Sequence, residues 1–192
     1  MTRRVQALML AAGSSRRFGS DKRFHKLQDG TPIVLQALRN LQAVVESVVL
    51  VVRPGETQLF SELLVADKTP RILEAAQADT GMGASLVCGM RHIDGDAVLI
   101  TLADMPFIRP ATIQSVCNAL QEHPLVVPIY RGRPGHPVGF HQQFFEELAV
   151  LNVDEGGKKI IQRHRNSVKQ LDVQDPGIVM DIDTPADLMV SG

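Results

Sequence analysis

The 192-residue chain holds only two cysteines, Cys88 and Cys117, and they are not in a CxxC spacing. That argues against a disulfide framework or a cysteine-built zinc site. Both thiols fall in segments with helical patterning, where reduced core cysteine is the expected state. Long apolar runs are missing as well: no stretch approaches the roughly 20 apolar residues that a membrane span needs. The start Met1-Thr2-Arg3-Arg4 is basic, but the apolar run behind it, Val5 to Ala12, meets Gly13 and then two arginines, too early for a signal peptide. A bulk excess of one charge is also absent. Lys and Arg number 20 against 21 Asp and Glu, a formal net charge of -1, which gives no electrostatic ground for a nucleic acid or membrane partner. There is no repeat and no low-complexity linker. These absences lead us to expect a cytoplasmic protein with one domain over residues 1–192.

Hydrophobic content of 44% with 21% charge lies in the globular range. A chain of this length buries roughly 70% of the surface its unfolded form exposes. Short apolar runs rich in branched residues alternate with helical periodicity, which predicts an α/β fold with a mostly parallel sheet covered on both faces. Strands are expected at Val5 to Leu10, Ser47 to Val52, Ala97 to Leu102, Leu125 to Pro128 and Val138 to Phe140, with a weaker one at Val168 to Leu171. Thr31-Pro32, Arg109-Pro110 and Thr184-Pro185 predict helices starting near 32, 110 and 185, a capping Thr preceding two of the prolines. Tyr130 to Pro137 is turn chemistry, a hairpin or an excursion from the sheet. Ligands of open α/β sheets bind beyond the carboxyl ends of the strands, so the loops after Leu10, Leu102 and Phe140 are expected to meet there.

Charge is uneven even though it balances overall. Between Met1 and Lys26 there are seven Lys or Arg against Asp21 alone, suited either to a small polyanion or to a solvated basic face. The loop Leu10-Ala11-Ala12-Gly13-Ser14-Ser15-Arg16-Arg17-Phe18-Gly19-Ser20-Asp21-Lys22 follows a strand directly. Its small residues let backbone N–H groups approach a phosphate, and Arg17 and Lys22 supply charged donors. It is not a P-loop: five residues separate Gly13 from Gly19, and the lysine comes three positions later. Gly81-Met82-Gly83-Ala84-Ser85-Leu86 lacks the third glycine of a dinucleotide fingerprint.

Asp104, just past the strand ending at Leu102, is placed to hold Mg²⁺, which takes one or two protein carboxylates and completes its shell with water and phosphate. Asp181 and Asp183 stand in an i, i+2 relation on an extended segment, so both point to one side. They suit a divalent cation, or else Asp183 or Thr184 caps the next turn with Asp187 on its dipole. Gly135-His136-Pro137-Val138 presents a histidine from a stiff turn, more often structural than functional.

In order along nearly the whole chain, these segments resemble the MobA-like nucleotidyltransferases, closest to their molybdenum cofactor cytidylyltransferase branch. The pattern L-A-A-G-x-S-x-R-x-G-x-x-K falls on Leu10 to Lys22, G-M-G-x-S-L on Gly81 to Leu86, L-x-D-M-P on Leu102 to Pro106, G-H-P-V on Gly135 to Val138 and D-I-D-T-P on Asp181 to Pro185. The resemblance implies a three-layer α/β/α Rossmann-like nucleotidyltransferase fold, Mg²⁺ dependence, and attack of a phosphorylated acceptor on the α-phosphorus of an NTP with loss of pyrophosphate. It implies CTP as donor, molybdopterin as acceptor, and contact with molybdoenzyme maturation proteins.

On this reading Arg17, Lys22 and Asp104 are catalytic. Leu10 to Ser15, Arg17, Lys22, Gly81, Met82, Gly83 and Ser85 bind nucleotide; Asp104 with Asp183 or Asp181 holds the metal. Where the family continues with leucines after the lysine, this chain has Arg23-Phe24-His25-Lys26, so Arg23 joins His136 as an acceptor-side candidate, and the acceptor is left open. Two alternatives remain. One is a cytidylyl- or guanylyltransferase for another phosphorylated small molecule; the other is a module that binds nucleotide or cofactor without turnover.

Overall fold

The computed structural model describes residues 2–13, 18, 21–63, 69–151 and 157–189. Among these residues eight strands form one sheet: β1 (Val5–Leu10), β2 (Val48–Val52), β3 (Arg71–Glu74), β4 (Ala97–Leu102), β5 (Leu125–Tyr130), β6 (Arg133–Pro134), β7 (Val138–His141) and β8 (Val168–Asp172). The order is β3-β2-β1-β4-β7-β5-β6, with β8 paired to β5. β3, β2, β1 and β4 run parallel, and β8 runs parallel to β5; β7 is antiparallel to both β4 and β5, and β6 to β5.

Among the described residues, six α-helices accompany the sheet: α1 (Ile33–Gln42), α2 (Thr57–Leu63), α3 (Met82–Met90), α4 (Pro110–Ala119), α5 (Phe145–Ala149) and α6 (Lys158–Arg163). Strand alternation sends Ala7 and Met9 of β1 to one face, where they meet Val34, Leu38 and Leu41 of α1 and Ile113 and Val116 of α4. Leu8 and Leu10 go to the other, against Leu86 and Met90 of α3, Leu148 of α5 and Ile160 of α6. Helices therefore cover both faces, which is the expected three-layer arrangement. Central strands covered on both sides carry continuous apolar runs, and all five residues of β2 are buried. Each fully buried Val or Leu contributes about 1.5–3 kcal/mol. Gly89 brings α3 close to the sheet, because a Cβ there would lie 2.3 Å from Leu8 Cδ1 and 3.0 Å from Val51 Cγ2. Among the described residues no helix is long and apolar enough to cross a membrane.

The structure corrects four expectations. Residues 185–189 form a short 3-10 helix. Thr31 does not cap α1, which starts after Pro32 without a side-chain cap; ahead of Pro185 the bonds run the other way, with Thr184 N and Oγ1 donating to Asp187 Oδ2 at 2.7 and 2.9 Å. The strands β3 and β6 were not anticipated. The loop after Phe140 also leaves at the opposite edge from the loops after Leu10 and Leu102, since antiparallel β7 pairs His141 with Ala97 at the start of β4. The turn before β7, carrying His136, reaches the carboxyl edge instead.

Candidate active site

From β1 the chain builds β2 and β3 on one side, then crosses to lay β4 on the other. The carboxyl ends of β1 and β4 therefore diverge at a topological switch point. Leu10 and Leu102 stand opposite each other there, and Ala103 N donates to Leu10 O at 3.0 Å. A cleft of about 390 Å³ opens at this point. One wall is Leu10 to Gly13 with Lys22, the second is Leu102 to Asp104, and the third is the start of α3 with Gly81, Met82 and Ser85. An added Cβ at Gly13 would meet nothing within 4 Å, so the loop presents bare backbone to open space. Helix N-termini carry unpaired N–H groups and partial positive charge, and α3 begins at the cleft after Gly81, whose φ of 140° favours glycine.

Lys22 is the charged centre. It opens a 3-10 turn, Lys22–Phe24, and its ammonium lies 2.7 Å from Asp104 Oδ2 and 2.8 Å from Asp183 Oδ1. Burial acts against the ammonium, but the hydrogen bonds and charges of Asp104 and Asp183 outweigh it and hold the Lys22 pKa above its ordinary value. The far acids arrive because Ile182 N donates to Asp104 O at 3.0 Å while buried Ile182 packs with Phe18 and Ile33. Asp187 fixes the turn by accepting from Asp183 N at 2.9 Å. Asp183 thus faces Lys22, whereas Asp181 is exposed and acts through its charge on His136.

Asp104 Oδ1 is buried without a hydrogen-bond partner among the described residues. An orphaned buried acceptor costs about 1–3 kcal/mol, and a cation relieves it. Lys22, Asp104 and Asp183 together carry a net negative charge, so the donor set fits a hard divalent ion that needs only one or two carboxylates. No cluster of three or more His, Cys, Asp or Glu suited to a metal occurs among the described residues.

His136 Nδ1 lies 3.2 Å from Ile100 O; a carbonyl only accepts, so Nδ1 carries the proton and Nε2 keeps its lone pair. Burial lowers its pKa, opposed by the Ile100 bond and by Asp104 and Asp181, which leaves a neutral ring at the edge of the site. Gly83 is buried within α3 and is not among the residues lining the cleft. Ser14, Ser15 and Arg17 lie outside the described residues.

Arg23 lines the cleft, but its donors are engaged by other partners. It is 2% exposed, and its five N–H donors are all used: Nε and Nη2 on Asp21, Nη1 and Nη2 on Glu56 at 2.7 and 2.6 Å, and Nη1 on Ala11 O. No donor remains for an acceptor molecule. Arg53 completes the cluster, with Nη2 on Asp21 Oδ2 at 2.7 Å and Nε on Glu56 Oε1 at 2.9 Å. Burial pushes the Asp21 and Glu56 pKa values up, but Arg23 and Arg53 win and leave both lowered. Sequence reasoning missed Glu56. The signal was available: Arg53-Pro54-Gly55-Glu56 places two charges in a turn directly after buried β2, the same context that marked Asp104.

A "Probable molybdenum cofactor guanylyltransferase" of Bacillus cytotoxicus is 25% identical over 87% of this chain and 79% of its own. One of the same name from Trichormus variabilis is 26% identical over 97% and 89%. Among solved structures, Rv0371C of Mycobacterium tuberculosis H37Rv, in complex with manganese, superposes with a TM-score of 0.80 at 26% identity, covering 98% of this chain and all of that one. The pattern of the MobA-like NTP transferase domain matches residues 7–168. The chain belongs to the MobA-like NTP transferase family.

Proposed function

We propose that this chain transfers a nucleoside monophosphate from an NTP to a phosphate of molybdopterin. An acceptor oxygen bonds to the α-phosphorus, the bond to the β-phosphate oxygen breaks, and pyrophosphate leaves. A phosphate monoester is mostly dianionic near neutrality, its second pKa being about 6, so the reaction needs positioning and charge neutralisation more than a strong base.

The observation that carries this reading is Asp104: one oxygen sits on Lys22 and the other is buried without a partner among the described residues, at the mouth of the phosphate-binding loop. Asp104 and Asp183 are the residues that would hold a divalent cation, taken as Mg²⁺, which supplies neutralising charge at the reacting phosphates. Ala12 and Gly13 offer backbone N–H groups, with Ser14, Ser15 and Arg17 assigned beside them on the family pattern. Lys22 neutralises the triphosphate and the pyrophosphate as it forms. Gly81, Met82 and Ser85 line the nucleoside side.

CTP is the donor in this reading, on the strength of Gly81 to Leu86 and Gly135 to Val138. GTP is the second reading, favoured by the names of the two relatives. Pyrophosphate release with each of the four NTPs, with and without molybdopterin, tests both. Release dependent on molybdopterin and strongest with CTP is the expected result; GTP preference replaces the donor, and success only with other phosphorylated acceptors discards molybdopterin.

A further inference from the structure

Arg23 is a buried cation that the reaction above does not use, and it lines the cleft beside Ala11 and Ala12. We propose that Arg23 is a positioning residue of the phosphate site, clamping the Ala11 carbonyl so that the Ala12 N–H is presented to phosphate. The inference rests on the reading of residues 10–13 as a phosphate-binding segment.

In a trans peptide the C=O and the following N–H point in opposite directions. Nη1 of Arg23 holds the Ala11 carbonyl, so the Ala12 N–H is directed away from the guanidinium. Ala11 N, on the preceding peptide, is tied back to Val51 O at 2.8 Å, whereas Ala12 N has no partner among the described residues. Ala12 is 6% exposed and lines the cleft. A nearly buried N–H without a partner, beside an open glycine, is an anion donor awaiting its acceptor.

The clamp is stiff. The guanidinium lies 5.5 and 5.2 Å from the centroids of the Phe24 and Phe60 rings, and Phe60 is fully buried. Asp21 and Glu56 fix the remaining donors and, with Arg53, make the cluster electrically neutral. The clamp therefore adds no net charge near the phosphates; its effect passes chiefly through the peptide it orients. Glu56 ties the segment after β2 to the segment after β1, and the same 3-10 turn that sends Arg23 inward turns Lys22 toward Asp104. A lysine at position 23 keeps the charge but offers three donors where five are used.

Backbone NMR of the full chain, titrated with tripolyphosphate, tests this directly. In the wild type the Ala12 amide resonance shifts on saturation. In Arg23→Lys that shift is lost and tripolyphosphate binds at least tenfold more weakly, while the spectrum stays dispersed. Glu56→Gln, which leaves Arg23 in place and removes part of its support, gives an intermediate loss of threefold or more and serves if Arg23→Lys does not fold. Asp175→Asn, a destabilised control that contacts the start of α4, lowers the melting temperature and leaves tripolyphosphate affinity within twofold. A wild-type Ala12 amide that does not respond overturns the proposal. So does an affinity loss in Arg23→Lys or Glu56→Gln no larger than in Asp175→Asn. If wild-type protein releases no pyrophosphate from any NTP yet shows the Arg23-dependent shift, nucleotidyl transfer falls and the positioning role stands.

Discussion

Replacing Lys22 with methionine keeps the side chain's bulk and removes the ammonium shared by Asp104 and Asp183. The two carboxylate oxygens lie 2.7 and 2.8 Å from that one nitrogen. They are therefore at most about 5.5 Å apart, where like charges repel by roughly 3 kcal/mol at an effective dielectric of about 20. The Asp183 side chain is 40% exposed, so water screens the pair and about 1–2 kcal/mol survives. A divalent cation entering the wild type is repelled by the ammonium already set between the two carboxylates; entering Lys22→Met, it relieves their repulsion instead. Since tenfold in affinity is about 1.4 kcal/mol, the variant is expected to bind Mn²⁺ about tenfold more tightly than wild type without nucleotide, even as its turnover collapses. Titration of free Mn²⁺ by electron paramagnetic resonance reads this on folded protein. Unchanged or weaker Mn²⁺ binding would refute a cation position shared by Lys22 and the two acids. The stability linkage has a definite sign: the Lys22 pKa is raised above 10.5, so its contribution is complete below pH 10.5. It fades only as pH rises through the higher folded value.

Asp104→Asn is expected to lower pyrophosphate release at least 100-fold while the melting temperature changes little, because the amide keeps the carboxylate's shape and the weakened pairing with Lys22 is offset by relief of the unpartnered Oδ1. Asp175 is 2% exposed and accepts from Arg109 N, Thr112 Oγ1 and Gly177 N; Asp175→Ala should cost about 2–5 kcal/mol in urea unfolding. Glu56→Gln should cost about 3 kcal/mol at neutral pH. The Glu56 pKa lies below 4.5 in the fold, so the gap between variant and wild type should close only as pH falls below 4.5 through that lower value. Burial pushes the Cys117 thiol up to about 11 and raises Cys88 as well, so at pH 8 native protein should react slowly with a disulfide reagent, Cys88 before the more buried Cys117.

β1, β2 and β4 were readable because strands covered on both faces are almost continuously apolar, broken here by buried Gln6 and Thr101, and that pattern survives in one dimension. Arg71-Ile72-Leu73-Glu74 was not readable: its burial is only partial, and parallel pairing with β2 makes it a strand. The direction of β7 was hidden for a different reason, since Val138-Gly139-Phe140-His141 reads alike either way. Only the hairpin geometry after β5 sets its antiparallel course, and with it the edge at which His136 appears. In the site, Asp104 and Lys22 were legible from their place after β1 and β4. The split between Lys22 and Arg23 was not, because neighbouring cations look equivalent until a 3-10 turn sends them to opposite sides.

That split gives the basic excess near the start of the chain a physical meaning. Arg23, Arg53, Asp21 and Glu56 form a neutral cluster in which every donor of Arg23 is already satisfied. A buried ionic cluster survives only when compensated in this way, so it is complete without a ligand and belongs to the scaffold. Lys22, Asp104 and Asp183 carry one more negative charge than positive, and one buried oxygen of Asp104 has no hydrogen-bond partner among the described residues. Satisfied groups elsewhere and an unsatisfied one at a cleft mark where stability has been given up for function. On the proposed function, the Lys22 cluster is where a cation and phosphates would complete the structure, and the Arg23 cluster would hold the loop ready to receive them.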